Sequence, residues 1–396
     1  MRTIKPFSNF TFHILKLLVR PVAFFLWKYR YKSIYKISKG ESVVVLSNHQ
    51  TDYDPILIHL SFNRLLRTVA TDNIFKKGIS NWFIRKMGGI PKRKGIVDVR
   101  SSNELLELAN NNGSLLLFPE GNRSYADFQY YISERVAKTI KKFNSTLILF
   151  NINGGFGRYP RWGNTPRKGK FYGEIVRSIP YSEYKDMDDD ELSKLIINSI
   201  KVFDSESHEL YKSDKKAEYL ERMFFVCPKC SSISSLRSEG DLIKCSSCGL
   251  EVKYNEDLTL TSEDPSFKYH RLVEWYNHQK RWVSNYKPNL ERKVFCDIDV
   301  TLKTSNPFEK STLVYKGEMS LYPDRLVFGK EEFVYPIKDI SVSSPVSGRK
   351  LVFTYLDKEY EVRGNKRFNA LKYVLMLKKL NNNIGDKYYS LVEEKE

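Results

Sequence analysis

The sequence predicts an α/β domain with an interfacial helix in front of it, then a small cysteine-rich unit and a C-terminal α+β module. Three observations carry that order. Between residues 41 and 205, short apolar runs such as SVVVLS, SLLLFPE and STLILFN alternate with helical patterns such as PILIHLSF and SSNELLELANN, as in a mostly parallel sheet covered by helices. From Cys227 the composition changes, and four of the five cysteines arrive as two Cys-x2-Cys pairs. From about Lys293 the pattern is strand-like, through STLVYKGEMSLY, DRLVFG, EEFVYPI, RKLVFTYL and KEYEVRG, and it closes on the helical run NKRFNALKYVLMLKKLNNN.

The first 40 residues set the charge. The chain carries a net +18, and nine Lys or Arg precede Glu41 with no acidic residue among them. Such a block suits a membrane face or a nucleic acid, or else is a solvated tail. The apolar stretch FTFHILKLLVRPVAFFLW, residues 10–27, helps to choose. On a helix His13, Lys16 and Arg20 form one polar stripe, and Pro21 is expected to kink or break it. The stretch reads poorly as a transmembrane span, which needs about 20 apolar residues, and no small-residue cleavage site follows it. Residues 1–40 therefore read as a basic, amphipathic membrane-interface segment, which places the protein on the cytoplasmic face of the membrane as a monotopic or peripheral protein. A helix packed on the protein's own core is the other reading. Phe75, Trp82 and Phe83, interleaved with Lys76, Lys77, Arg85 and Lys86, pose the same choice between membrane surface and core.

Residues 41–205 hold the candidate chemistry. In VVVLSNHQTDYDPILIHL, residues 43–60, the strand ends near Leu46 and Pro55 suits the first helical position, so Asp54 is a natural N-cap. Residues 47–53 then form a tight loop at the carboxyl end of a strand, where the sites of open α/β sheets gather. Were the segment helical, Asp52 would neighbour His49; in a loop, Asp54 can curl back to it. A second stretch, LLLFPEGNRS at 115–124, also ends a buried strand. A third, GGIPKRKG, contains Gly89 and Arg93.

Together, His49-(four residues)-Asp54, Phe118-Pro119-Glu120-Gly121-x-Arg123-Ser124 and the glycine-to-arginine motif resemble the glycerolipid acyltransferase family, the lysophosphatidic-acid acyltransferases of phospholipid synthesis. The resemblance spans roughly residues 40 to 180. It implies that His49 is a general base on the free hydroxyl of a lysophospholipid acceptor, with acyl-CoA or acyl-carrier protein as donor. Asp54 then holds the imidazole tautomer, as in a serine-protease triad, and Asp52 is the internal rival. It implies substrate binding by Arg93, Glu120, Gly121 and Arg123, the arginines on phosphate. Two departures stand out: Asn122 replaces the usual threonine, and LILFNINGG lacks the proline of the family's last motif. The loop GGFGRYPRWGNTPRKGK is placed to line the substrate entrance. Residues 203–220 read as a polar linker or exposed helix.

Cys227, Cys230, Cys245 and Cys248, with fourteen residues between the pairs, form a zinc-ribbon pattern over residues 222–255. Four protein thiolates leave no open position, so the zinc is expected to be structural. Disulfides or a redox pair are the rivals, and an intracellular setting favours reduced thiols. Cys296 is expected to be buried. Residues 256–292 form a helical connector, and residues 293–384 resemble a pleckstrin-homology-like (PH-like) module. A nucleic-acid partner is disfavoured, because the ribbon is not strongly basic and lacks aromatics to stack bases. A non-catalytic lipid- or protein-binding adaptor on the same scaffold is the main alternative to an enzyme.

Overall fold

The computed structural model of the chain describes residues 6–71, 75, 79–92, 99–305, 310–342 and 349–381. These fall into two compact units. The first takes the chain up to Ser124, Phe128–Tyr159 and Gly169–Glu209; the second takes Tyr125–Asp127, Pro160–Lys168 and the chain from Leu210.

The apolar runs of the first unit are its central strands. Its sheet has seven strands: β1 (Arg30–Tyr31), β2 (Val43–Ser47), β3 (Arg67–Thr71), β4 (Gly89–Lys92), β5 (Leu115–Leu117), β6 (Thr146–Asn153) and β7 (Tyr172–Ile179), in the order β1-β7-β6-β2-β5-β3-β4. β2 runs parallel to β5 and β6, with Val44 opposite Leu115 and Leu147, while β7 returns antiparallel to β6. Alternate residues of each strand feed opposite cores. Val43, Val45, Leu116 and Ile148 pack with Leu57 and Ile58 of α2 (Asp54–His59). Val44, Leu46, Leu115 and Leu147 pack with Ile140 of α5 (Val136–Lys141) and with Leu192 and Ile196 of α8 (Asp189–Ser199). Burial on both faces is why these strands read as unbroken apolar runs rather than as alternation. The remaining helices here are α1 (Asn9–Pro21), α3 (Ile79–Lys86), α4 (Val99–Asn110), α6 (Gly155–Arg158) and α7 (Tyr181–Tyr184).

Pro21 does not break the first helix. The chain passes from α1 into a π-turn, Val22–Leu26, closed by the Trp27 N–H on the Val22 carbonyl at 3.1 Å. A widened turn accommodates the missing proline N–H without ending the helix. The segment Asn9–Leu26, 18 residues, is by length and composition long and apolar enough to cross a membrane, counter to the sequence expectation. Its faces are also inverted. Phe12 and Lys16 are buried, with the Lys16 ammonium donating to the Phe62 carbonyl, and burial, then Arg20, lowers the Lys16 pKa to about 8. Phe10, Ile14, Leu17, Leu18, Phe25 and Leu26 are exposed. On α3, Trp82 and Phe83 are exposed as well, whereas Phe75 is core.

In the second unit, β8 (Leu236–Glu239), β9 (Leu242–Cys245), β10 (Glu251–Tyr254) and β11 (Leu260–Thr261) form an antiparallel sheet. The expected connector contains a core helix, α9 (Leu272–Ser284). Its Trp275 is fully buried, stacks on Phe224 at 4.1 Å and donates its indole N–H to the Val226 carbonyl. Strands β12 (Phe295–Thr304), β13 (Leu313–Leu321), β14 (Arg325–Phe328), β15 (Phe333–Pro336), β16 (Ile340–Val342), β17 (Lys350–Tyr355) and β18 (Lys358–Arg363) make a second seven-stranded sheet, ordered β15-β14-β13-β12-β18-β17-β16. α10 (Ala370–Leu380) follows and is buried along most of its length. Cys296 is exposed rather than buried, because the alternation that points Phe295 inward turns its neighbour outward.

Candidate functional site

His49 leaves the end of β2 in a loop whose backbone is pinned on several sides. Its carbonyl accepts from the Ser124 N–H at 2.9 Å, and its N–H donates to Glu120 Oε1 at 3.3 Å. The preceding Asn48 pairs with Ile152 of β6 like a strand residue: its amide nitrogen donates to the carbonyl and its amide oxygen accepts from the N–H, both at 2.8 Å. The imidazole stacks on Phe118, centroids 4.3 Å apart.

His49 Nδ1 lies 2.9 Å from Asp54 Oδ2. Asp54 is fully buried, and its carboxylate also accepts from the Gln50 N–H at 2.7 Å, the Thr51 N–H at 2.9 Å and the Thr51 hydroxyl. It is not the N-cap: Tyr53 holds that position and Asp54 is the first helical residue. The donors in the loop draw its carboxylate backward, away from the N–H groups of α2. A buried acceptor satisfied only by donors fixes the tautomer, with the proton on Nδ1 and the lone pair on Nε2. Nε2 makes no hydrogen bond among the described residues, and the His49 side chain is 19% exposed. Asp52 does not approach the imidazole; its Oδ2 pairs with Arg123 Nη1 at 3.2 Å.

Glu120 and Gly121 lie on the turn after β5, next to the His49 loop because β5 neighbours β2. Gly121 has φ +63° and closes the turn by donating to the Phe118 carbonyl at 2.9 Å; a left-handed conformation there favours glycine. Both Glu120 oxygens face backbone: Oε1 takes the His49 N–H and Oε2 the Tyr130 N–H at 3.0 Å. Burial, reinforced by the nearby Asp54 charge and opposed by those two hydrogen bonds, pushes the Glu120 carboxyl up to about 8. The structure thus gathers His49, Asp54, Glu120, Gly121 and Arg123 at two adjacent strand ends. Arg93 lies outside the described residues. Of the loop expected to line the entrance, Gly155–Arg158 forms α6, and Pro160–Lys168 is built into the second unit.

In that unit the four cysteines form two matching knuckles. Ser231 donates to the Cys227 carbonyl at 2.9 Å and Gly249 to the Cys245 carbonyl at 3.0 Å, and both have positive φ. The four sulfurs lie within 4.8 Å of one another, with Cys227–Cys248 at 3.6 Å and Cys230–Cys245 at 3.8 Å. A tetrahedral ion with metal–sulfur bonds of about 2.3 Å needs edges of about 3.8 Å, so the donor set fits. All five cysteines are free thiols. Burial raises the Cys245 thiol, but hydrogen bonds from Ser235 and Ser232 outweigh it and bring it down to about 5, whereas burial pushes the Cys227 and Cys248 thiols up. The cluster can hold a metal ion.

The mostly parallel sheet thus carries a histidine–aspartate pair beside a Phe-Pro-Glu-Gly turn, at two adjacent strand ends. The acyltransferase family model matches residues 28–149, a segment that holds both the His49–Asp54 pair and the Phe118–Gly121 turn. The resemblance carried by the His49 and Glu120 motifs is borne out. Among solved structures, the crystal structure of the 1-acyl-sn-glycerophosphate acyltransferase PlsC from Thermotoga maritima is similar, with 20% identity and a TM-score of 0.42 over 48% of this chain and 76% of that one. No curated protein matches the chain.

Proposed function

We propose that the protein is an O-acyltransferase of the 1-acylglycerol-3-phosphate type, acting at the cytoplasmic face of a membrane. The observation that carries the reading is the His49–Asp54 pair at 2.9 Å, with Nε2 left as acceptor. The acceptor's hydroxyl gives its proton to Nε2 as its oxygen attacks the thioester carbonyl of acyl-CoA or acyl-carrier protein. The new C–O bond forms, the C–S bond breaks, and the imidazolium returns the proton to the leaving thiolate. Asp54 keeps the imidazole oriented and offsets its transient charge. Arg123 and Arg93 bind the acceptor phosphate, Gly121 lets the turn approach the substrate, and Glu120 supports the same turn. The exposed apolar face of α1 and its π-turn, with Trp82 and Phe83, supports a membrane-bound protein. The sulfur spacing supports a structural zinc ion, and the seven-stranded sheet followed by α10 supports a PH-like module.

The test incubates the purified protein with lysophosphatidate and acyl-CoA in anionic vesicles and follows diacyl product by mass spectrometry. Product that is lost in His49→Ala and Asp54→Asn and kept in Asp52→Asn supports the reading. Product that persists without His49 overturns it.

A further inference from the structure

Asp204 falls in the run expected to be a polar linker or an exposed helix, yet it is 2% exposed and points into the His49 loop. Its Oδ1 accepts from the Gly154 N–H at 2.8 Å and from Gln50 Nε2 at 3.2 Å, and its Oδ2 accepts from the Gly157 N–H at 2.8 Å. Gln50, also buried, turns its own carbonyl oxygen to the N–H groups of Gly155 at 2.8 Å and Phe156 at 3.3 Å. A side chain at Gly155 would meet Gln50 and Thr51 within 3 Å, so the glycine turn and the His49 loop are fitted to each other. The Gln50 backbone N–H, in turn, donates to Asp54 Oδ2, the same oxygen that receives His49 Nδ1.

We propose that Asp204 and Gln50 are positioning residues for the reaction: Asp204, beyond the segment matched by the family model, fixes the donor that holds Asp54 against the imidazole. The inference rests on the acyl-transfer reading. A displaced Gln50 N–H frees Asp54 Oδ2 to rotate, and misplacement by about 1 Å costs about 10²-fold in rate.

The pairing has a polarity that a swap can test. Asp204→Asn sets amide donors against each other, and Gln50→Glu sets two carboxylates face to face. In the double variant the amide introduced at 204 donates to the carboxylate introduced at 50, which still accepts from Gly155 and Phe156, and the Gly154 N–H, which shares Asp204 Oδ1 with Gln50 in the wild type, loses its acceptor. In the full chain each single change is expected to lower kcat about 10²-fold, with acceptor KM within about twofold, and the double variant to regain at least about tenfold of that loss. A second readout needs no turnover: exchange of the His49 Nδ1 proton with solvent, followed by NMR on histidine-labelled protein and assigned by its absence in His49→Ala. It should be faster in Asp204→Asn than in the wild type. Unchanged kcat in the single variants, or a double variant no better than the worse single one, overturns the proposal. Should the wild type make no acyl product, the acyl-transfer reading fails by itself. Proton exchange then decides positioning: unchanged exchange overturns it and faster exchange supports it.

Discussion

Asp52 Oδ2 lies 3.2 Å from Arg123 Nη1, so one aspartate of the His49 motif serves the arginine while the other serves the histidine. The Asp52 side chain is 69% exposed and that of Arg123 only 12%. An ion pair this open is worth at most about 1 kcal/mol, whereas Asp54 is fully buried among four donors. Asp52→Asn is therefore expected to leave kcat intact and to lower the acceptor KM no more than about fivefold, by releasing Arg123 to the phosphate. Arg123→Gln should raise that KM by about tenfold or more, since hydrogen bonds to charged groups contribute about 1.5–3 kcal/mol. Steady-state kinetics with varied acceptor measures both. Equal effects of the two changes on kcat would remove the phosphate role.

Glu120 gives a pH signature. Its carboxyl titrates near 8 when folded, because of burial, against an ordinary 4.5. The folded state thus keeps a proton that the unfolded chain has already released. Stability is fully present below about 4.5, declines as pH rises toward about 8, and levels off above that. Within the window the slope is at most about 1.4 kcal/mol per pH unit. Urea unfolding at pH 5.5, 7 and 8.5 should show the wild type losing stability relative to Glu120→Gln as pH rises; a constant difference would mean that the carboxyl ionises normally.

The cysteine cluster should carry one zinc ion per chain, measurable by elemental analysis. Zinc binds small structural sites with about 10–16 kcal/mol at neutral pH, comparable to the whole stability of a domain. Chelation, or Cys227→Ser, should accordingly strip amide protection from β8, β9 and β10. Full protection in metal-free protein would show that the knuckles stand on hydrogen bonds alone.

Membrane attachment is expected to depend on the outward face of the first helix. Burying a phenylalanine side chain contributes about 1.5–3 kcal/mol. Phe25→Asp should weaken flotation with anionic vesicles about tenfold or more, while Lys16→Met, on the inner face, should not. Loss with both variants alike would point to a helix acting through the fold.

Much of this site is legible in the sequence. The strand runs stood out because both faces are buried, and the His49 and Glu120 turns stood out because proline and glycine mark strand ends. The cysteine pairs were legible from spacing alone. Other features carry no such mark. β3 and β4 lie at one edge of the sheet and lack the apolar runs of its centre. The capping expectation for Asp54 used local rules, and four donors in its own loop overrode them. Asp204 sits in the polar run FDSESHE, where nothing periodic separates a buried carboxylate from solvated ones. The π-turn at Val22–Leu26 was hidden because a proline signals a missing hydrogen bond but not how the chain makes it good.

Tyr125 and Trp162 are both fully buried in the second unit, although the chain reaches them long before Leu210. Trp162 packs near Tyr254, and its carbonyl accepts from Arg222. On the ribosome, these early residues emerge before the ones that will enclose them. At about 5–20 residues per second, the gap from Trp162 to Tyr254 lasts several seconds, during which an indole and its neighbouring arginines stand open to chaperones or to other nascent chains. Shortening the gene after Glu209 would make that interval permanent.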